Sequence, residues 1–282
     1  MNKMLLATAA AISAFSMSAM AADQPYKQSV AAPASWSGFY AGLNGGYGWG
    51  NAKFSIVPGG SWVGDPDLAG VTSAASRSPR INGVLGGVQA GYNFQMNNVV
   101  IGIEADFSAS GAKGRFATDN FNGVSSGTYS ARGEARADWF GTARLRFGIA
   151  ADMALFYVTG GAIINENNFS HSINFTNVAA PLAALPVTPV GGGANAGSNS
   201  SVNVGWVVGA GVEYALSANW SAKVEYLYAD LGSNSVSSRY AQTTPTAANF
   251  DIRHREDKTL SIVRAGLNYK FGGSAAPVVA RY

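Results

Sequence analysis

The stretch Val99-Val100-Ile101-Gly102-Ile103-Glu104-Ala105-Asp106-Phe107-Ser108 decides the fold. Val99, Ile101, Ile103, Ala105 and Phe107 share one parity, and Gly102, Glu104, Asp106 and Ser108 share the other. A strand sends alternate side chains to opposite faces, so this segment has one apolar face and one polar face. Its length matches the ~9–11 residues that a tilted strand needs to cross a bilayer.

Seven further segments repeat the pattern. The first strand directs Phe39, Ala41, Leu43, Gly45, Tyr47 and Trp49 one way, opposite Tyr40 and Asn44. The second directs Val84, Val88, Ala90, Tyr92 and Phe94 outward, with Gln89, Asn93 and Gln95 inward. The fourth sets Trp139, Ala143, Leu145 and Phe147 against Thr142, Arg144 and Arg146. The fifth has the weakest alternation, with Phe156, Val158, Ala162 and Ile164 outward and Tyr157, Thr159 and Asn165 inward. The sixth runs outward from Val202 to Tyr214 on even positions, opposite Asn203 and Glu213. The seventh places Ala222, Val224, Tyr226 and Tyr228 opposite Lys223 and Glu225. The eighth places Val263, Ala265, Leu267, Tyr269 and Phe271 opposite Arg264, Asn268 and Lys270.

The connections alternate in length. Short ones fall at Met96–Asn98, Ile149–Asp152 and Ala215–Asn219, and long ones near Ser55–Asn82, Ser110–Ala137, Glu166–Ser201 and Gly232–Lys258. Outer-membrane barrels have short periplasmic turns and longer external loops. This phase puts both chain ends in the periplasm. Unpaired backbone groups in lipid cost several kcal/mol each, so the sheet must close. The expectation is an all-β fold, an eight-stranded antiparallel transmembrane up-and-down β-barrel in the cell outer membrane. With these directions Phe39, Phe94, Phe147, Phe156, Tyr214, Trp220 and Phe271 gather at the periplasmic ends. Trp49, Phe107, Trp139 and Tyr228 gather at the outer ends, giving the two aromatic girdles of a membrane barrel.

Composition agrees. Only 12% of residues are charged and 35 are Gly, where a soluble domain is about 25% charged. The net charge of +3 is small and scattered, so nucleic-acid binding is not indicated. With no cysteine, the fold uses no disulfide. Met1 to Lys3 followed by apolar Met4–Phe15 and the small-x-small site Ala19-Met20-Ala21 read as a signal peptide over residues 1–21. Residues 22–35 read as a periplasmic linker, 36–271 as the barrel with four long external loops, and 272–282 as a C-terminal tail. Ala179 to Ser200, with three prolines and Gly191-Gly192-Gly193, reads as a flexible surface segment.

The inward parity collects Glu104, Asp106, Arg144, Arg146, Glu213, Lys223, Glu225 and Arg264. An eight-stranded barrel is only wide enough for its side chains to fill it. Buried charges must be paired, so these eight are expected to form a polar network in the lumen. A narrow or gated ion path is the alternative. Catalysis has little support: His171 and His254 both fall in expected loops, and no His/Cys cluster offers a metal site or a cofactor. Arg253-His254-Arg255-Glu256-Asp257-Lys258 reads as the solvated base of a loop. In the last strand, Gly266, Tyr269 and Phe271 look like the signal that barrel-assembly machinery reads. Val278, Ala280 and Tyr282 also alternate, so the position of the terminal aromatic stays open.

Trp36-Ser37-Gly38-Phe39-Tyr40-Ala41-Gly42, Gly91-Tyr92-Asn93-Phe94, Tyr157-Val158-Thr159-Gly160-Gly161 and Gly266-Leu267-Asn268-Tyr269-Lys270-Phe271 together resemble a known family. It comprises the small porin-like outer-membrane surface antigens of alphaproteobacteria, grouped with opacity-type and OmpA-like eight-stranded barrels. The resemblance implies an abundant protein, immunogenic through its loops, that supports envelope integrity amid lipid and lipopolysaccharide. Some relatives bind haemin or host surfaces, but no motif residue carries that activity to a position here. Three functions follow: a plugged structural barrel, a narrow weakly conducting porin, or a haemin or host-surface receptor acting through its loops.

Overall fold

The computed structural model describes residues 35–60, 62–64, 68–122, 128–178, 191–242 and 248–272. Eight strands are joined in sequence order: β1 (Gly38–Gly60), β2 (Arg80–Met96), β3 (Val99–Asn122), β4 (Thr128–Ala151), β5 (Ala154–Val178), β6 (Gly191–Ala215), β7 (Trp220–Gln242) and β8 (Ala248–Lys270). Each pairs antiparallel with the next, and β1 pairs with β8 from Tyr40↔Lys270 to Gly60↔Phe250, closing the barrel. One helix, α1 (Leu68–Ala75), lies between β1 and β2. The signal-peptide reading, most of the linker and the tail from residue 273 lie outside the described residues.

Faces follow the alternation in the sequence. Leu43, Val84, Ile103, Leu145, Phe156, Val204, Val224 and Val263 are exposed, as an apolar belt meeting lipid must be. Rings cluster at both margins: Phe39 with Phe271 and Trp220 with Tyr269 near the short turns, Phe107 with Trp139 and Trp206 with Tyr228 at the other end. The short turns are as tight as expected. Asn97 (φ 53°) and Asp152 (φ 52°) occupy left-handed positions, where the short polar side chains of Asn and Asp are tolerated. Near the chain start, the Trp36 amide donates to Gln95 Oε1 at 2.7 Å, and Lys270 Nζ donates to the Ser35 carbonyl.

The long external connections differ from the expectation. Much of what reads as loop continues the strands: β5 has 25 residues and β3 has 24, about twice a membrane crossing. Residues 191–200, expected to be flexible, form the start of β6, while 179–190 lie outside the described residues. The barrel therefore stands well clear of the membrane. Its inner positions out there alternate small and apolar residues with a few polar ones, a signal that Ser-, Asn- and Gly-rich outer positions obscure.

The interior is layered rather than uniformly polar. Near the short turns Trp36, Val100, Leu155, Tyr157 and Ala215 form an apolar floor. Past the mid-membrane charges comes an apolar layer that includes Phe54, Phe140, Ile163, Leu227, Leu260 and Ile262. At the far end Val71 and Ala75 of α1 cluster with Trp62, Tyr129, Ile173 and Ile252. The inner face of β8 passes through these levels in one line, as Ile252, His254, Glu256, Lys258, Leu260, Ile262, Arg264 and Asn268, all buried.

Candidate functional site

Pairing register sets the mid-membrane site. Glu104 lies opposite Arg144 across β3–β4, Glu213 opposite Lys223 across β6–β7, and Glu225 opposite Arg264 across β7–β8. All point inward, and each of the eight side chains singled out in the sequence is buried. Four are cationic (Arg144, Arg146, Lys223, Arg264) and four are anionic (Glu104, Asp106, Glu213, Glu225), so the cluster is neutral.

Its contacts cross the lumen. Arg144 holds Glu104 at 2.5 Å, Asp106 at 2.8 Å and Glu225 at 3.0 Å. Arg264 reaches Asp106 at 2.9 Å and Glu225 at 2.7 Å. Lys223 donates from β7 to both Glu104 oxygens on β3, four strands away, at 2.9 Å each. Arg146 binds Glu213 at 2.7 Å and lies 3.9 Å from the Tyr157 ring centre. Charged groups removed from water need this density of charge-assisted hydrogen bonds to be tolerated.

Neutral side chains complete the shell. Tyr40 donates to Glu104 at 2.7 Å while accepting from Arg146 at 2.7 Å. Thr142 donates to Asp106 at 2.6 Å, Ser221 and Asn268 donate to Glu213 at 2.5 Å and 2.7 Å, and Gln89 donates to Asn268 at 2.6 Å. Most of these have inward parity in the sequence, but parity alone does not say which polar side chains reach the charges. Gly266 also belongs here, since a β-carbon on it would lie 3.0 Å from Gln89 Nε2 and 3.2 Å from Lys223 Cε. Tyr269 and Phe271 instead point outward, their rings 5.1 Å apart.

A second polar group sits higher, outside the membrane-spanning segments, where the sequence reading expects loops. His171 and His254 are on β5 and β8, and both are buried. The stretch read as solvated alternates instead: Arg253 and Arg255 face outward and are exposed, whereas His254, Glu256 and Lys258 are inside. Nδ1 of His254 lies 2.8 Å from Nδ1 of His171, and its Nε2 lies 2.8 Å from Ser238 Oγ. Lys258 donates to the Arg136 carbonyl at 2.6 Å and to Asn167, and lies 3.4 Å from Glu256. Burial, with the neighbouring His254, lowers His171 to about 3, and burial lowers His254 to about 4. Burial raises the Glu256 carboxyl to about 7 against the pull of Lys258. Period-two parity carried on past Asn165 in β5, and back from Arg264 in β8, would have found these inner positions. Among the described residues no three His, Cys, Asp or Glu side chains converge as metal ligands.

The family follows from comparison with known sequences. The family described as outer membrane protein beta-barrel domain matches residues 7–271. A 31 kDa outer-membrane immunogenic protein of Brucella melitensis biotype 1 is 34% identical over 281 residues, covering 96% of this chain and 100% of its own. A 25 kDa outer-membrane immunogenic protein of Brucella abortus biovar 1 is 28% identical, covering 95% of this chain and 98% of its own. Among solved structures, outer membrane protein OprG from Pseudomonas aeruginosa superposes with a TM-score of 0.42 at 12% identity, over 83% of this chain and 97% of its own. The chain belongs to the outer-membrane β-barrel family that includes these alphaproteobacterial immunogenic proteins, and it is a protein of the outer membrane.

Proposed function

We propose that this is a plugged structural barrel, neither pore nor enzyme, that supports the envelope and presents its outer rim at the cell surface. One observation carries the reading: the neutral cluster around Arg144 and Glu104 spans the lumen between two apolar layers. A hydrated ion entering from either end would have to shed its water among Leu260, Ile262 and Phe140 or among Trp36, Val100 and Leu155, at a cost that apolar surroundings do not offset. The test is planar-bilayer recording of purified protein. No resolvable current steps are expected, and large, stable single-channel currents would overturn the reading.

The rim is where the relatives' immunogenic character would reside in this chain. A haemin or host-surface contact there would have to use groups other than His171 and His254, which face inward. The last strand, with Tyr269 and Phe271 outward at the short-turn end, is the proposed signal for barrel-assembly machinery. Replacing both with Ala should leave unassembled protein in the periplasm; normal assembly would refute that assignment.

A further inference from the structure

The outer wall of β2 to β6, just above the aromatic girdle, has a composition of its own. In register across the strands lie Lys113, Arg136, Asn168 and Ser200, and one row higher Arg115, Glu134, Ser170 and Ser198. Arg80 stands two residues beyond Asn82, the partner of Lys113, on the same outer face. Arg115 and Arg136 clasp Glu134 at 2.9 Å and 2.5 Å, and Asp138 accepts from Asn168 at 2.8 Å. Four cations thus share two carboxylates, and among the described residues Arg80 and Lys113 make no ion pair.

Height and shape narrow what could sit there. Arg136 is three residues beyond Trp139, about 10 Å along the strand, which is where the phosphates of outer-leaflet lipid lie. Beside the cations, short side chains on β5 and β6 leave a trough of about 680 Å³ bordered by Arg115, Arg132, Glu134, Ser170, Ser172 and Ser198. It offers hydroxyl groups beside guanidinium groups, a lining suited to a sugar. A lipid-facing apolar groove of about 770 Å³ lies to one side and lower, on β8, β1, β2 and β3, running from Phe107 and Val88 past Leu43 and Leu267 to Tyr269 and Phe271 at the short-turn girdle. Cations and trough adjoin, as the phosphate and saccharide of one glycolipid require, and the exposed apolar belt with Val84, Ile103 and Phe107 lies below them to meet acyl chains.

We propose that this wall binds the phosphorylated, multiply acylated glycolipid of the outer leaflet, its phosphates on Arg80, Lys113 and Arg136 and its first sugars in the serine trough. The inference does not depend on whether the lumen conducts. The β7–β8 wall is a built-in comparison. Its Arg255 is six residues beyond Ser261, the register partner of Trp49 and Tyr228, hence about 20 Å along the strand. Arg255 is also engaged by Asp257 at 3.0 Å, and Arg239 by Asp251 at 2.6 Å.

Titration of detergent-purified protein with bisphosphorylated lipid A, followed by native mass spectrometry, tests this. Lys113→Gln with Arg136→Gln should weaken binding about tenfold or more, since each surface cation near anionic lipid contributes measurably. Dephosphorylated lipid A should bind wild type as weakly as lipid A binds that variant, with no further loss when both changes are combined. Arg253→Gln with Arg255→Gln should stay within about twofold. If the first double variant fails to fold by the heat-shift gel, Ser198→Tyr, which fills the trough without altering charge, should weaken binding instead. Equal binding by wild type and variants, equal binding of dephosphorylated lipid, equal loss from both walls, or a second copy of the barrel occupying this face would each overturn the assignment.

Discussion

Nδ1 of His171 lies 2.8 Å from Nδ1 of His254, joining β5 to β8 across the interior through one shared proton. A proton added to the accepting Nδ1 would set two N–H groups face to face. Burial already holds both rings neutral, at about 3 and about 4 against the ordinary 6.5. The unfolded chain therefore binds more protons below 6.5, and stability falls as pH drops from there through about 4 and 3.

Glu256 acts in the opposite sense. Its carboxyl, raised to about 7 from 4.5, stays protonated in the folded barrel over a window where the unfolded chain has lost that proton. The penalty is present above pH 7 and is relieved as pH falls toward 4.5. Two histidines outweigh one carboxyl, so the upper barrel should firm as pH rises from about 4 to 6.5 and level off near 7, as read by hydrogen exchange of β5 and β8 amides. Glu256→Gln should steepen that rise between pH 4.5 and 6.5, and His171→Gln with His254→Gln should turn it into a fall toward pH 7. An unchanged profile in both variants would refute this assignment.

Ile103 faces lipid between Tyr92 on β2 and Leu145 on β4. Placing a charge there at mid-membrane should cost about 2–4 kcal/mol. Urea titration of folding into vesicles should show Ile103→Arg destabilised by that amount.

Glu104 is the hub of the lumen cluster, touched by Arg144, Lys223, Arg146 and Tyr40. Glu104→Ala would strand cations in a site closed to water, at a cost of about 3–5 kcal/mol. Removing Lys223 as well should recover part of that loss, a coupling that a double-mutant cycle measures. Simple additivity would mean the two groups are not partners.

The transmembrane barrel was legible because lipid on one side and a filled lumen on the other enforce strict alternation, as at Ile103 against Glu104. Strand order and turn positions followed from connection length. What stayed hidden has a physical reason. Above the membrane the outer face meets water, so exposed Ser170 sits beside buried His171, and exposed Ser198 beside half-buried Asn199, with little contrast in polarity. The inner apolar layer was also hidden, because Leu260 and Ile262 share the inward parity of Arg264, and parity alone does not separate one interior level from the next. Which charges pair was not readable either. Glu213 faces Lys223 in register, yet Lys223 reaches across to Glu104 and Glu213 is held by Arg146.

The seam that closes the barrel yields the last prediction. On β1, a β-carbon at Gly42, Gly46 or Gly50 would lie 2.3, 2.2 or 1.9 Å from the carbonyl oxygens of Leu267, Val263 and Thr259 on β8. Glycines four residues apart thus meet carbonyls four residues apart, so at these three positions, unlike at Tyr40 or Asn44 on the same face, the seam accepts hydrogen but no carbon. Any side chain there must push the two strands apart or bend them, and overpacking of this kind costs about 1–3 kcal/mol. Gly45, one residue away on the outer face, would meet only the Leu85 carbonyl at 3.7 Å, an ordinary contact. Gly46→Ala should therefore lower the temperature at which the folded band disappears on a heat-shift gel, and Gly45→Ala should not. Because β1 and β8 are the first and last strands, the loss should also slow folding at closure while hairpins such as β3–β4 form normally. Equal behaviour of the two variants would mean that the seam is no more crowded inside than out.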